Sequence, residues 1–235
     1  MLQQIRIVLV NTSHPGNIGS CARAMKTMGL NDLYLVNPAQ FPHEKATELA
    51  SGANDVLANA SVKNNLEAAI TDCHLVVGAS ARLRAIPWPL LKPKELAQTI
   101  QQEAAQSKIA ILFGNEQSGL SNEELQRCHL HVTIPSNPEF GSLNIAAAVQ
   151  VIAYEIYQLA QQENTTEWDY PLASIDEMEK FFEHLQKVLV QIEFLKLSAP
   201  RRLMTRLRRL FLRTRMDTME VNMLRGMLTA IEENK

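Results

Sequence analysis

Residues 134–144 read IPSNPEFGSLN and lead directly into an alanine-rich segment. This pattern predicts a strand that ends near Pro135, a short polar loop, and an amphipathic helix that begins at Leu143 with Ser142 as its N-cap. Such a loop presents backbone N–H and C=O groups to a small ligand. By itself it is a common connection in α/β proteins, so a purely structural role fits it equally well.

Composition indicates a globular protein with a real core. The chain has 235 residues, of which 46% are hydrophobic and 20% charged, and its formal net charge is −2. The length fits one ordinary domain plus an appendage. No apolar run reaches the roughly 20 residues of a membrane span, and the N-terminus reads as a strand rather than a signal peptide. We therefore expect a cytoplasmic protein without a membrane partner.

The three cysteines, Cys21, Cys73 and Cys128, have neither paired nor metal-ligand spacing. This arrangement predicts buried free thiols in a reducing compartment, and no metal site.

Charge divides the chain in two. Signs are mixed through residue 160, residues 161–194 are mainly acidic, and residues 196–215 carry eight cations and no acid. The polar segment 161–171 lacks periodicity and looks like a linker. We therefore predict one domain over 1–165 and a basic helical extension over 166–235. Its basic run is either a solvated helix face or a phosphate-binding surface, and the acidic residues 163–183 offer a third possibility by packing against it.

The first part alternates short apolar runs with helical patterns, which predicts an α/β fold with a parallel sheet covered on both faces. Ligands of such sheets bind at the carboxyl ends of the strands. The predicted strands are Ile5–Val10, Leu33–Asn37, His74–Ala79, Ile109–Phe113 and His131–Ile134. The predicted helices are Asn17–Met28, Ala46–Ala60, Leu66–Thr71, Lys94–Ala105, Asn122–Cys128 and Leu143–Ala160.

Two further loops lie upstream at the same predicted edge. After the first strand, Asn17 is a natural N-cap, and Gly19 stands one turn before Arg23, which leaves room for a phosphate or ribose beside the guanidinium. The alternative is a plain surface arginine. After the fourth strand, Gly114 and Gly119 bracket a turn that contains Glu116, and a capping box of Ser121 and Glu124 follows. Glu116 could accept hydrogen bonds from backbone amides or hold an arginine, and a purely structural brace of the loop is equally consistent with the pattern.

Together these motifs carry a resemblance. N-x-G-S-x-A-R over 17–23, G-x-E-x-x-G-L over 114–120 and I-P…S-L-N-x-A-x-A from 134 resemble the SPOUT (TrmH-like) RNA 2′-O-ribose methyltransferases throughout residues 1–160. Within this family the chain is most similar to a bacterial subfamily. The similarity rests on the segments TSHPGNIGSCARAMKTMGL, IPWPLL and NEELQRCH and on the basic extension. Members of that subfamily methylate cytidine or uridine at position 32 of the tRNA anticodon loop.

The resemblance implies a trefoil knot over 111–153, a homodimer, and S-adenosylmethionine as cofactor, with no metal. Catalysis would involve Arg23 from the partner subunit, while Asn17, Ser142 and Asn144 orient groups nearby. Since a guanidinium is a reluctant proton acceptor, we expect Arg23 to act as a charged clamp. The matched cofactor positions are Ala79, Ser80, Ala81, Gly114, Glu116, Gly119, Ile134, Gly141, Ser142 and Leu143.

With tRNA as the expected partner, arginines are the candidate RNA contacts. They are Arg82, Arg84, Arg201, Arg202, Arg206, Arg208, Arg209 and Arg213. Asn115 and Gln117 depart from the residues that relatives usually carry, which bears on contacts to the target nucleotide. Two other functions stay open: methylation of another site, such as the wobble nucleotide or ribosomal RNA, and RNA binding without catalysis.

Overall fold

A computed structural model describes residues 1–80, 89–103, 107–161, 169–196 and 202–233. Within these ranges the strands form one parallel sheet in the order β3-β2-β1-β6-β4-β7-β5. The strands are β1 (Ile5–Val10), β2 (Asp32–Val36), β3 (Ser61–Lys63), β4 (Leu75–Ala79), β5 (Leu90–Leu91), β6 (Ile109–Phe113) and β7 (Leu130–Val132).

Helices cover both faces of the sheet. The helices of the described ranges are α1 (Pro15–Thr27), α2 (Glu44–Ala50), α3 (Asn54–Ala58), α4 (Glu67–Ile70), α5 (Pro93–Gln102), α6 (Asn122–Leu125), α7 (Ile145–Ala160), α8 (Ile175–Gln191), α9 (Leu203–Leu212) and α10 (Thr218–Glu233). The apolar side chains of α1, α5 and α7 pack on one face, and those of α4 and α6 on the other. The predicted α/β parallel sheet is confirmed.

Several predicted boundaries are wrong. The segment Ala46–Ala60 is two helices, because Ser51 and Gly52 adopt positive φ angles of 45° and 93° that end α2. Strands β3 and β5 were not predicted, since each is short and partly exposed. The predicted helix Lys94–Ala105 runs instead from Pro93 to Gln102, and Ala104 and Ala105 lie outside the described residues.

Two predicted N-caps are also wrong. α1 begins earlier, at Pro15, because the Nδ1 atom of His14 accepts a hydrogen bond from the Gly16 N–H, and Asn17 lies inside the first turn. α7 begins later, at Ile145, because the Asn144 Oδ1 atom accepts from the Ala146 N–H at 2.9 Å. The predicted capping box of Ser121 and Glu124 at the start of α6 is present.

The C-terminal helices α8, α9 and α10 enclose a small core of their own. The rings of Phe181 and Phe211 meet edge to face, with centroids 4.9 Å apart. This core is tied to the sheet, because the Ile175 N–H donates to the Cys73 carbonyl at 2.8 Å. The division at residue 165 stays a prediction, since residues 162–168 lie outside the described part of the chain.

Cys21, Cys73 and Cys128 are buried free thiols, as predicted. Among the described residues, no helix combines the length and hydropathy that a membrane crossing requires. No cluster of His, Cys, Asp or Glu suited to a metal ion occurs in those ranges either. The trefoil knot stays an implication of the resemblance.

Candidate functional site

A cavity of about 330 Å³ opens at the carboxyl ends of β4, β6 and β7. This volume lies within the range of roughly 300–1,000 Å³ typical of small-molecule sites. All but one of the cofactor positions predicted from the sequence line this cavity, and so do Asn17 and Asn144. The exception, Ala81, lies outside the described residues. The predicted positions that line the cavity are Ala79, Ser80, Gly114, Glu116, Gly119, Ile134, Gly141, Ser142 and Leu143.

The loop after β6 closes tightly on itself because both of its ends are glycine. A Cβ atom on Gly114 would lie 2.2 Å from the backbone of Gly119 and Leu120, so no larger residue fits there. Gly119 has a φ of +68°, a conformation that favours glycine, and its N–H donates to the Asn115 carbonyl at 2.8 Å. The loop is therefore a fixed wall of the cavity.

Glu116 ties this loop to the loop after β1. One carboxylate oxygen accepts hydrogen bonds from the Ser13 N–H at 3.0 Å and the Ser13 hydroxyl at 2.8 Å. The other accepts from the Asn17 side-chain amide at 2.8 Å and the His14 N–H at 3.4 Å. Burial alone would raise the pKa of Glu116, but these hydrogen bonds outweigh it and lower the pKa to about 2. Glu116 is thus an ionised brace that also lines the cavity.

Asn17 extends this connection to the third loop. Its Oδ1 atom accepts a hydrogen bond from the Asn144 Nδ2 atom at 3.2 Å, while its Nδ2 atom donates to Glu116. Asn144 in turn caps α7. We call this set, Glu116–Asn17–Asn144, the three-loop relay. It fixes the three motif loops relative to one another, which a preorganised binding site requires.

The cavity wall suits an adenosyl group. Phe113, Val132 and Ile134 supply apolar surface for the faces of an aromatic ring, and Ala79 and Ser80 are small enough for close approach. Asn115 and Gln117, which the sequence indicated as bearing on contacts to the target nucleotide, also line the cavity. Sequence reasoning did not single out five other lining residues: Phe113, Ser118, Val132, Ile145 and Ala148. Only their positions in the sequence could have identified them, because each is at a strand end, within a motif loop or in the first turn of α7.

Arg23 lies elsewhere. It is exposed on α1, does not line the cavity of its own chain, and makes no ion pair with any residue that the structure describes. The expectation that Gly19 leaves room for a ligand beside Arg23 is wrong. Gly19 is buried, and a Cβ atom there would lie 2.0 Å from the carbonyl oxygen of Ala46, so α2 occupies the space.

The candidate RNA-binding arginines differ in their surroundings. Arg202, Arg206 and Arg213 are exposed on or beside α9. Arg208 makes a bidentate contact with Glu179 at 2.5 and 2.7 Å and lies 4.5 Å from the ring centroid of Phe182, so the acidic helix α8 does pack against α9. Arg209 is half-buried. Arg82, Arg84 and Arg201 lie outside the described residues.

Comparison with known proteins agrees with this geometry. Residues 4–154 match the model of the SpoU rRNA Methylase family, and residues 176–235 match that of the tRNA methyltransferase TrmJ, C-terminal domain. The tRNA (cytidine/uridine-2′-O-)-methyltransferase TrmJ of Sodalis glossinidius (strain morsitans) is 52% identical over 241 residues, which cover 100% of this chain and 94% of that protein.

Solved structures extend the comparison. The crystal structure of TrmJ from Z. mobilis ZM4 has a TM-score of 0.84 and 35% identity, and the match covers 97% of this chain and 98% of that one. A structure from work on the 2-OH methylation of C/U34 on tRNA shares the fold, with a TM-score of 0.54 and 24% identity; 68% of this chain matches 97% of that one. From its methylase domain, its C-terminal domain and its full-length similarity, the chain belongs to the SpoU methylase family and, within it, to the TrmJ branch.

Proposed function

We propose that this protein transfers a methyl group from S-adenosylmethionine to the ribose 2′-oxygen of cytidine or uridine in tRNA, at position 32 of the anticodon loop. The observation that carries the proposal is the convergence of three motif loops on one cavity, held together by the three-loop relay. The activity named for the 52% identical relative is in accord with it. Such an enzyme would work in the cytoplasm, with tRNA and without a metal.

When bound, S-adenosylmethionine supplies an activated methyl group on sulfonium. Transfer forms a carbon–oxygen bond to the 2′-oxygen, breaks the carbon–sulfur bond and releases the 2′-hydroxyl proton. The protein must align the two reactants and stabilise negative charge on the oxygen. The cavity walls and Ser142 would hold the donor, and Arg23 would hold a target phosphate and the 2′-oxygen, with the proton passing to phosphate or water.

Arg23 leads to a proposed homodimer. Because it does not line the cavity of its own chain, the proposed catalytic role requires that it reach an active site on a second copy of this chain. A mixed dimer tests this arrangement. Arg23→Ala and Ser142→Ala homodimers should each lose nearly all methyl transfer. Random reassortment of the two should restore about a quarter of wild-type activity, since half of the dimers would then hold one complete site. Absence of recovery would place Arg23 in cis.

The extension favours position 32 over the wobble nucleotide as the target. The match to the structure from work on C/U34 covers 97% of that protein but only 68% of this one, so the rest of this protein has no counterpart there.

We propose that Arg202, Arg206 and Arg213 contact tRNA phosphates. Arg206→Ala/Arg213→Ala should weaken tRNA binding and reduce its salt dependence. The matched control is Lys180→Ala/Lys187→Ala, which removes two exposed cations from α8. Equal effects of both pairs would contradict a specific surface.

The decisive assay is transfer itself. We expect label from methyl-labelled S-adenosylmethionine to appear in total tRNA, and mass spectrometry of the digested tRNA to locate it at nucleotide 32. Label at nucleotide 34 or in ribosomal RNA would replace the proposed site with another. Absence of transfer, with tRNA binding retained, would indicate an RNA-binding protein without catalysis.

A further inference from the structure

Phe140 is the most exposed large apolar side chain among the described residues, with 82% of its surface accessible. It directly precedes Gly141, Ser142 and Leu143, which line the cavity, but it does not line the cavity itself. Leaving a phenyl ring in water is unfavourable relative to burying it, and in this position the ring stands beside the mouth of the site.

The turn that carries Phe140 is rigid. The Phe140 N–H donates to the Asn137 carbonyl at 3.0 Å, and the Glu139 N–H donates to the Asn137 side chain at 3.0 Å. Pro138 occupies the second position of the turn, where its fixed φ favours this geometry. The Ser136 hydroxyl closes the base by donating to the Gly141 carbonyl at 3.0 Å. The backbone that carries the exposed ring is therefore braced by three hydrogen bonds.

The charge of the turn indicates what the ring contacts. Residues 136–141 contain one acid, Glu139, and no cation, so the turn is unsuited to a phosphate. Proteins that bind single-stranded RNA loops stack unpaired bases on exposed aromatic rings. A carboxylate beside such a ring can also accept a hydrogen bond from an exocyclic amino group of the base.

We propose that Phe140 stacks on an unpaired base of the RNA substrate next to the nucleotide that is methylated. This inference rests on the proposed function and names a positioning contact within it. The ring fixes the base, and thereby the adjacent ribose, over the cavity. Because the turn is already braced, little backbone conformational entropy is lost when the contact forms.

The test compares three substitutions at Phe140. Since loss of one base–aromatic stack weakens binding by roughly 5- to 150-fold, Phe140→Ala should weaken tRNA binding and lower kcat/KM for tRNA by a factor in that range. Phe140→Trp should restore both quantities because it retains a ring, whereas Phe140→Leu, which is apolar without a ring, should not. Phe194→Ala removes another exposed phenylalanine, 66% accessible, and should change neither.

Two further measurements separate the alternatives. Calorimetry with S-adenosylhomocysteine should give the same affinity for wild type and Phe140→Ala; a weakened affinity would mean that the ring covers the cofactor. Light scattering should give the same mass for wild type and Phe140→Ala. A smaller mass for the variant would mean that the ring packs on a second copy of the chain. Either result, or rescue by leucine, would overturn the inference. Absence of methyl transfer by the wild type would instead refute the proposed function, since tRNA binding reports on Phe140 without catalysis.

Discussion

The side chain of Glu116 accepts four hydrogen bonds, all from the loop and helix that follow β1. The sequence shows a carboxylate between two glycines, and that pattern left open whether Glu116 accepts hydrogen bonds from backbone amides, holds an arginine or only braces the loop. The structure shows backbone amide donors, the N–H groups of Ser13 and His14, in contacts that brace the loop. These two residues and Asn17 are about a hundred residues away along the chain. No local pattern indicates such a contact.

Glu116→Gln should destabilise the protein in a pH-dependent way. The pKa of Glu116 is about 2 in the folded protein against an ordinary value of 4.5, so its stabilising contribution is complete above pH 5 and is lost as pH falls towards 2. With allowance for solvent screening, we expect about 1–2 kcal/mol at pH 7. Urea unfolding of both proteins between pH 7 and pH 3 checks this, and a deficit of the same size at every pH would contradict it.

At the scale of elements, α1 and α2 pack closely because Gly19 has no side chain. The backbone carbonyl of Ala46 occupies the position that a Cβ atom would take. Gly226, in the middle of α10, has open space at the same position. The two glycines therefore look alike in the sequence but have opposite roles in the fold.

Substituting each glycine by alanine should change the free energy of unfolding in opposite directions. Gly19→Ala forces two backbones apart, so we expect a loss of about 1–3 kcal/mol or more in the free energy of unfolding. Gly226→Ala removes the conformational freedom of an exposed helix-interior glycine and should add about 0.5–1 kcal/mol. Denaturant melts of both variants against wild type measure the difference. Stabilisation by Gly19→Ala would show that α2 does not pack as described.

At the scale of the whole molecule, a buried ion pair joins the C-terminal helices to the sheet domain. Arg215, after α9, lies 2.7 Å from a carboxylate oxygen of Glu103 at the end of α5, and both side chains are nearly inaccessible. Burial raises the pKa of Glu103 and lowers that of Arg215, which reflects the cost of removing both charges from water. Although Arg215 belongs to the basic run by sequence, it is not available to RNA.

Removing one partner of this pair should be more harmful than removing both. Arg215→Met and Glu103→Leu each leave one buried charge uncompensated, and we expect a loss of about 3–5 kcal/mol in the free energy of unfolding for each. The double variant should recover much of that loss. A double-mutant cycle from urea unfolding gives the coupling energy. Simple additivity of the two single losses would show that the residues do not interact.

The fold class and most of the cavity were predictable because they depend on local patterns. Apolar runs gave the central strands, and glycine, serine and asparagine at the strand ends gave the loops. The N-caps His14 and Asn144 were missed because Asn17 and Ser142 are good cap residues two or three positions away, and only tertiary packing selects between them. The burial of Arg215 was missed for a related reason: charged residues are mostly exposed, and only tertiary packing shows that this one is buried against Glu103.

The three-loop relay also bears on protein engineering. Its members come from positions 17, 116 and 144, and each makes a hydrogen bond to a partner far away in the chain. A chimaera that receives only one of these segments from a distant relative would bring a donor without its acceptor. Recombination breakpoints between residues 17 and 144 should therefore be tolerated only when the two parents already agree at all three positions.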